Sequence, residues 1–107
     1  MTAHRDIELT KGTDFYQEIT VEDREGNPID LNGYSVRLEA RDEYSSDPFF
    51  ILNDIATNGN KIDLVVSDDA IESVPVRGTV RQSVYVLEVE KDGNTTRLYS
   101  GNLDIRN

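Results

Sequence analysis

The run Tyr85-Val86-Leu87-Glu88-Val89-Glu90-Lys91-Asp92-Gly93, continuing to Thr96-Arg97-Leu98-Tyr99, decides the fold. Apolar and polar side chains alternate from Tyr85 to Glu90, the period of a strand that buries one face and wets the other. Asp92-Gly93 supplies the positive φ of a tight hairpin turn, so the two runs are expected as antiparallel neighbours. The same alternation recurs upstream. Between Tyr34 and Arg41 the inward set is Tyr34, Val36, Leu38 and Ala40, and the outward set is mostly charged. In residues 14–23, Phe15, Gln17, Ile19 and Val21 share a face. Shorter segments at 7–9, 49–55 and 61–66, with 83–90 and 96–105, bring the count to about seven strands.

Turn chemistry punctuates these runs. Asn58-Gly59-Asn60 and Glu25-Gly26-Asn27-Pro28 are further turn sequences, because Gly and Asn tolerate positive φ and Pro lacks the N–H that a ladder needs. Ser67, followed by Asp68 and Asp69, predicts one capped helical turn over 67–72 that crosses between sheets. The expectation is an all-β chain: a two-sheet antiparallel sandwich, one domain over residues 1–107, with residues 1–5 a flexible N-terminus. The polar stretch Asp42–Pro48 is the expected mobile loop.

Composition narrows the chemistry. The 107 residues hold 11 Lys and Arg against 21 Asp and Glu, a net charge of −10, and no Cys. Such a chain repels nucleic-acid backbones and anionic membrane surfaces, so neither is an expected partner. Arg37, Arg41, Arg77, Arg81, Arg97 and Arg106 are scattered among acids and read as strand-surface cations, not as a nucleic-acid stripe. Without Cys there is no disulfide, thiolate nucleophile or Cys-zinc site. The single imidazole, His4, sits in the terminal stretch, a poor base for a triad. The seven Gly are isolated, so no phosphate-cradling loop is present and no cofactor is expected. Calcium would find oxygen ligands in Asp42, Glu43 and Asp47 or in Asp68, Asp69 and Glu72, but neither set has EF-hand spacing, and no metal site is assigned. No catalytic residue is assigned and the chain is expected not to be an enzyme. Its N-terminus has no apolar run behind its charges, which reads as synthesis in the cytoplasm.

Two places suit contacts. If Tyr85, Leu87 and Val89 point inward, then Val84 and Val86 point outward, which marks either a contact face or valines covered by the 42–48 loop. Phe49 and Phe50 are adjacent, so in a strand one of them faces out. Val84, Val86, Phe49 and Phe50 are therefore the candidate interface residues.

The order of segments resembles a known family. Phe15 to Val21, then Asp23 to Arg37 with its Asp30-Leu31-Asn32-Gly33-Tyr34 corner, then Gly59 to Val66, Tyr85 to Gly93 and Arg97 to Ile105 resemble the small immunoglobulin-like domains of tailed bacteriophage virions. Such domains occur in short tail, neck and baseplate proteins. The resemblance covers residues 7–106 and implies an immunoglobulin-like β-sandwich. It implies a structural corner at Asp30, Gly33, Tyr34 and Tyr85, with the Tyr85 hydroxyl bonded back to backbone near Asp68 or Asp69. One departure is Gly78, seven residues ahead of Tyr85, which implies a longer approach to that strand. By the same resemblance the chain is a non-enzymatic virion protein, tail-associated, with other virion proteins or copies of itself as partners. The competing readings are a glycan or host-surface binding module and an acidic inhibitor of a host enzyme.

Overall fold

The computed structural model describes residues 3–107, and within them the chain is all-β with one short helix. In chain order the elements are β1 (Ala3–His4), β2 (Ile7–Thr10), β3 (Phe15–Thr20), β4 (Ser35–Arg41), β5 (Phe50–Leu52), β6 (Ala56–Asn58), β7 (Lys61–Val66), α1 (Asp68–Glu72), β8 (Val80–Lys91) and β9 (Asn94–Arg106). Two sheets form. The larger runs β1-β9-β8-β4-β5, with β2 also on β9, and the smaller runs β3-β7-β6. One hydrophobic cluster draws from both: Ile19, Ile62, Leu64 and Val66 from the smaller, and Val36, Leu38, Leu87, Leu103 and Ile105 from the larger. That shared interior is what lets each sheet bury one face.

The central hairpin forms as the alternation demands. β8 and β9 are antiparallel from Val80–Arg106 to Lys91–Asn94, and Asp92 and Gly93 both take positive φ, as a two-residue turn of this kind requires. A bulge between Leu87 and Glu88 sets Leu98 out of register, which re-aims the second half of β9. β8 starts at Val80, three residues ahead of the expected Ser83, because Val80 to Gln82 pair with Asp104 to Arg106. The Ser67 hydroxyl accepts from the Ala70 N–H at 3.2 Å and Ile71 is fully buried. α1 thus carries the chain from the smaller sheet to the larger.

Three expectations are corrected. The pairing is not antiparallel throughout: β1 and β2 both run parallel to β9. The segment 49–55 does not stay in one strand, because Asp54 takes φ of 54° and the chain leaves β5 to make β6 in the other sheet. With β1, this brings the described residues to nine strands instead of seven. The terminal segment expected to be free is also paired: Ala3 and His4 stand against Tyr99 and Ser100, and the Arg5 N–H donates to the Ser100 carbonyl at 3.0 Å. Residues 1 and 2 lie outside the described residues.

Gly101 explains how the terminal strand is held. A Cβ there would lie 2.3 Å from the Arg5 carbonyl oxygen, closer than two such atoms can approach. The Arg5 carbonyl occupies the place of a side chain at 101, opposite Tyr85, and the Tyr85 hydroxyl donates to it. Asp6 accepts from the Asn102 N–H at 3.1 Å. Tyr85 is therefore a core residue whose hydroxyl satisfies backbone at Arg5, not near Asp68 or Asp69. Burial pushes its phenol up to about 12.

Candidate functional site

The outer face of the larger sheet is built by register. Ile51, Glu39, Val86 and Ser100 lie in one cross-strand row, and Arg41, Val84 and Asn102 in the next. Arg37, Glu88 and Arg97 form a third, and His4 of β1 stands beside Ser100. Val84 and Val86 are half-buried and Ile51 is 42% exposed. Glu39 is the charge centre of this face, pairing with Arg37 and, at 3.4 Å, with Arg41. A shallow depression of about 420 Å³ opens among His4, Arg41, Val84, Val86, Arg97 and Ser100. Its floor is apolar, with Arg97 and the Glu39-paired Arg41 at its rim.

The loop after β4 is the second feature. Its first four residues, Asp42 to Ser45, make a turn in which the Ser45 N–H donates to the Asp42 carbonyl at 3.0 Å. Positive φ falls only on the third residue, Tyr44, at 72°. That is the pattern of a type II turn, whose third position belongs to Gly or Asn. Tyr44 is 99% exposed, so packing against its own chain does not account for the residue placed there.

Arg81 holds this loop. Its Nε donates to Asp42 Oδ1 at 3.0 Å, its Nη2 to Asp42 Oδ2 at 2.7 Å, and its Nη1 to the Pro75 carbonyl at 3.0 Å. The guanidinium carbon lies 3.8 Å from the centroid of the Phe49 ring, an attractive stacking contact between a cation and an aromatic face. One side chain thus ties β8, the segment before it and the loop together. The Arg81 hydrogen bonds hold the Asp42 carboxyl below its ordinary value of 3.8, against the opposing effect of burial. Farther along, the Ser45 hydroxyl accepts from the Asp47 N–H at 3.3 Å and Arg41 reaches the Ser46 carbonyl at 3.5 Å. The stretch read as mobile from its composition is cross-braced at its base.

The four expected interface residues separate. Val84 and Val86 sit together on the outer face. Phe50 does not: it is 7% exposed and belongs to the core. Phe49 is partly buried against that core and covered by Arg81. Neither ring projects, because the Phe49 N–H pairs with the Ala40 carbonyl just ahead of β5 and its ring turns under the guanidinium. The Asp30 corner is a second turn of the same kind. Asp30 accepts from the Asn32 N–H at 3.0 Å, the Tyr34 N–H donates to the Leu31 carbonyl at 3.0 Å, and Gly33 takes φ of 85°. Tyr34 is half-buried with the Lys91 ammonium 5.2 Å from its ring centroid. Tyr85 lies apart from this corner, on the Arg5 carbonyl.

Sequence reasoning weighed Asp42 as a calcium ligand and Tyr44 as an exposed aromatic, but missed the pairing of Asp42 with Arg81 and the left-handed backbone at Tyr44. For Arg81 a signal existed: it falls in the same alternation as Ser83, Tyr85, Leu87 and Val89, which is the buried phase of β8. A cation in that phase needs a partner. It is not the strand-surface cation it was read as. Tyr16 and Val65, directly opposite each other on the outer face of the smaller sheet, are 63% and 56% exposed. The Tyr16 hydroxyl donates to Asp63 Oδ1 at 3.2 Å, which raises the phenol above its ordinary value. The acidic sets weighed as calcium ligands do not converge: Asp42 is engaged by Arg81, and Asp68 accepts from the Gly12 N–H at 3.1 Å. Among the described residues no group of three or more His, Asp or Glu is placed to hold a metal ion. Compared with known proteins, the chain matches no family model and no curated sequence.

Proposed function

We propose that this chain is an immunoglobulin-like β-sandwich of a tailed-phage particle, a non-catalytic structural subunit held in place through the outer face of its larger sheet. The order and spacing of its strand and turn segments support the family reading. One observation carries the choice of surface: Val84 and Val86 stand side by side on an outward sheet face, with Ile51 in the row of Val86 and Arg41 and Arg97 flanking them. Apolar residues on a solvent face rimmed by polar ones mark interaction sites. The charge of −10 keeps free subunits apart until a complementary surface recruits them.

The test is composition of purified particles. The protein is expected at a fixed copy number, and the Val84→Lys/Val86→Lys variant is expected to fold yet be lost from particles. Normal incorporation of that variant, or absence of the wild-type protein from particles, contradicts the proposal. A second reading, a glycan or host-surface binding module, is favoured by one observation, the full exposure of Tyr44, since sugar sites use projecting aromatic faces. Binding to a glycan array that disappears in Tyr44→Ser supports it, and the absence of any array signal removes it.

A further inference from the structure

We propose that Tyr44 is a knob that enters the Val84/Val86 depression of a second copy of this chain. The inference rests on the structural-subunit reading above and names its partner. Three observations carry it. First, Tyr44 holds a left-handed φ of 72° while touching solvent on all sides. That conformation costs a side-chain-bearing residue stability, so the ring is kept for something outside its own fold. Second, the loop is presented on a braced base, with the Asp42–Arg81 fork at 2.7 and 3.0 Å and the guanidinium stacked on Phe49. A pre-ordered knob loses little freedom on docking. Third, the knob and the depression are complementary in charge. Glu43 precedes Tyr44 and Asp47 follows three residues on, whereas the depression is lined by His4, Arg97 and the Glu39-paired Arg41 and by no acid, with Glu43 and Asp104 beyond Val84. A tyrosine enclosed between valines and arginine stems is the kind of contact that concentrates binding energy.

The occupant is a second copy because the two halves of the contact are both on this chain. Most of its surface is acidic and repels another copy, and the arginine-flanked depression is where an acidic loop is accepted.

The experiment is solution mass by light scattering behind size exclusion, for the wild type, Tyr44→Ser, Val84→Lys/Val86→Lys, and an equimolar mixture of the two variants. The wild type is expected to self-associate, increasingly so with concentration. Each variant alone is expected to weaken assembly tenfold or more. The mixture is expected to form a 1:1 complex, since the first variant keeps its depression and the second keeps its knob. That rescue also shows that both variants are folded. A wild type that stays monomeric up to about 1 mM overturns the proposal. So does a variant that assembles as the wild type does, or a mixture that stays monomeric. Recovery of the protein in particles together with a monomeric isolated chain overturns the self-contact alone. Absence from particles counts against the structural-subunit reading.

Discussion

Two turns of the same shape stand at opposite ends of β4. Leu31 to Tyr34 leads into the strand and Asp42 to Ser45 leads out of it. Each is closed by a backbone hydrogen bond of 3.0 Å, and each has positive φ only at its third residue, 85° in one and 72° in the other. The first has Gly33 at that position and the second has Tyr44. At Gly33 a Cβ would meet nothing nearer than Lys91 Cε at 3.7 Å, an ordinary contact. Gly33 is there because of its φ, not for lack of room. The entry turn obeys the local rule and the exit turn breaks it, at a residue whose ring its own chain does not bury. A broken local rule with no packing return points to a role outside the fold.

The two turns differ most in that Arg81 braces the exit turn. Arg81→Ala removes the Asp42 fork, the Pro75 hydrogen bond and the stack on Phe49 together, and is expected to lower stability by about 2 kcal/mol. Hydrogen exchange would then speed up across residues 42–49 and stay unchanged across 30–34. Uniform acceleration in both turns would mean that Arg81 supports the whole core and not the exit turn in particular. Gly33→Ala comes next. With space available, it isolates the conformational term, expected at about 1 to 2 kcal/mol in urea unfolding.

Acid gives a smaller effect. Asp42 is more acidic in the folded chain than its ordinary 3.8, so its pairing contributes above about pH 4 and is lost as pH falls through the lowered folded value. Because Asp42 is half exposed, the loss is expected at under about 1 kcal/mol. It reads out as lower protection factors at 42–49, relative to the intrinsic exchange rate, as pH falls below the ordinary carboxylate range. Asp23, held below the ordinary value chiefly by the Asn27 backbone N–H, loosens its own hairpin in the same window. The smallest expected change is Tyr44→Asn. Asn tolerates left-handed φ better than Tyr, so stability should rise by a few tenths of a kcal/mol, roughly, in the same urea assay. A loss there would mean that the exposed ring contributes to the fold.

What was legible in the sequence was local. The alternation in β4 and β8, the Asp92-Gly93 hairpin and the Ser67 cap each follow from neighbours in sequence, through period, cap and turn chemistry. What was not legible joins distant residues. Arg81 meets Asp42 across 39 positions, and Tyr85 meets Arg5 across 80. The parallel seat of β1 and β2 on β9 has no short-range signature, and depends on Gly101 leaving room for the Arg5 carbonyl. The positive φ at Tyr44 could not be anticipated, because the third position of Asp42-Glu43-Tyr44-Ser45 holds neither Gly nor Asn, the residues that position asks for. The valines were found by alternation, while the aromatic that projects is Tyr44 and not either phenylalanine.

The most direct test is the urea-unfolding midpoint of Tyr44→Gly beside that of Gly33→Ala. If residue 44 carries Tyr at the expense of the fold, Tyr44→Gly should unfold at higher urea, a gain of up to about 1 kcal/mol. A Tyr44→Gly chain that unfolds earlier than the wild type, as Gly33→Ala is expected to do, would contradict it.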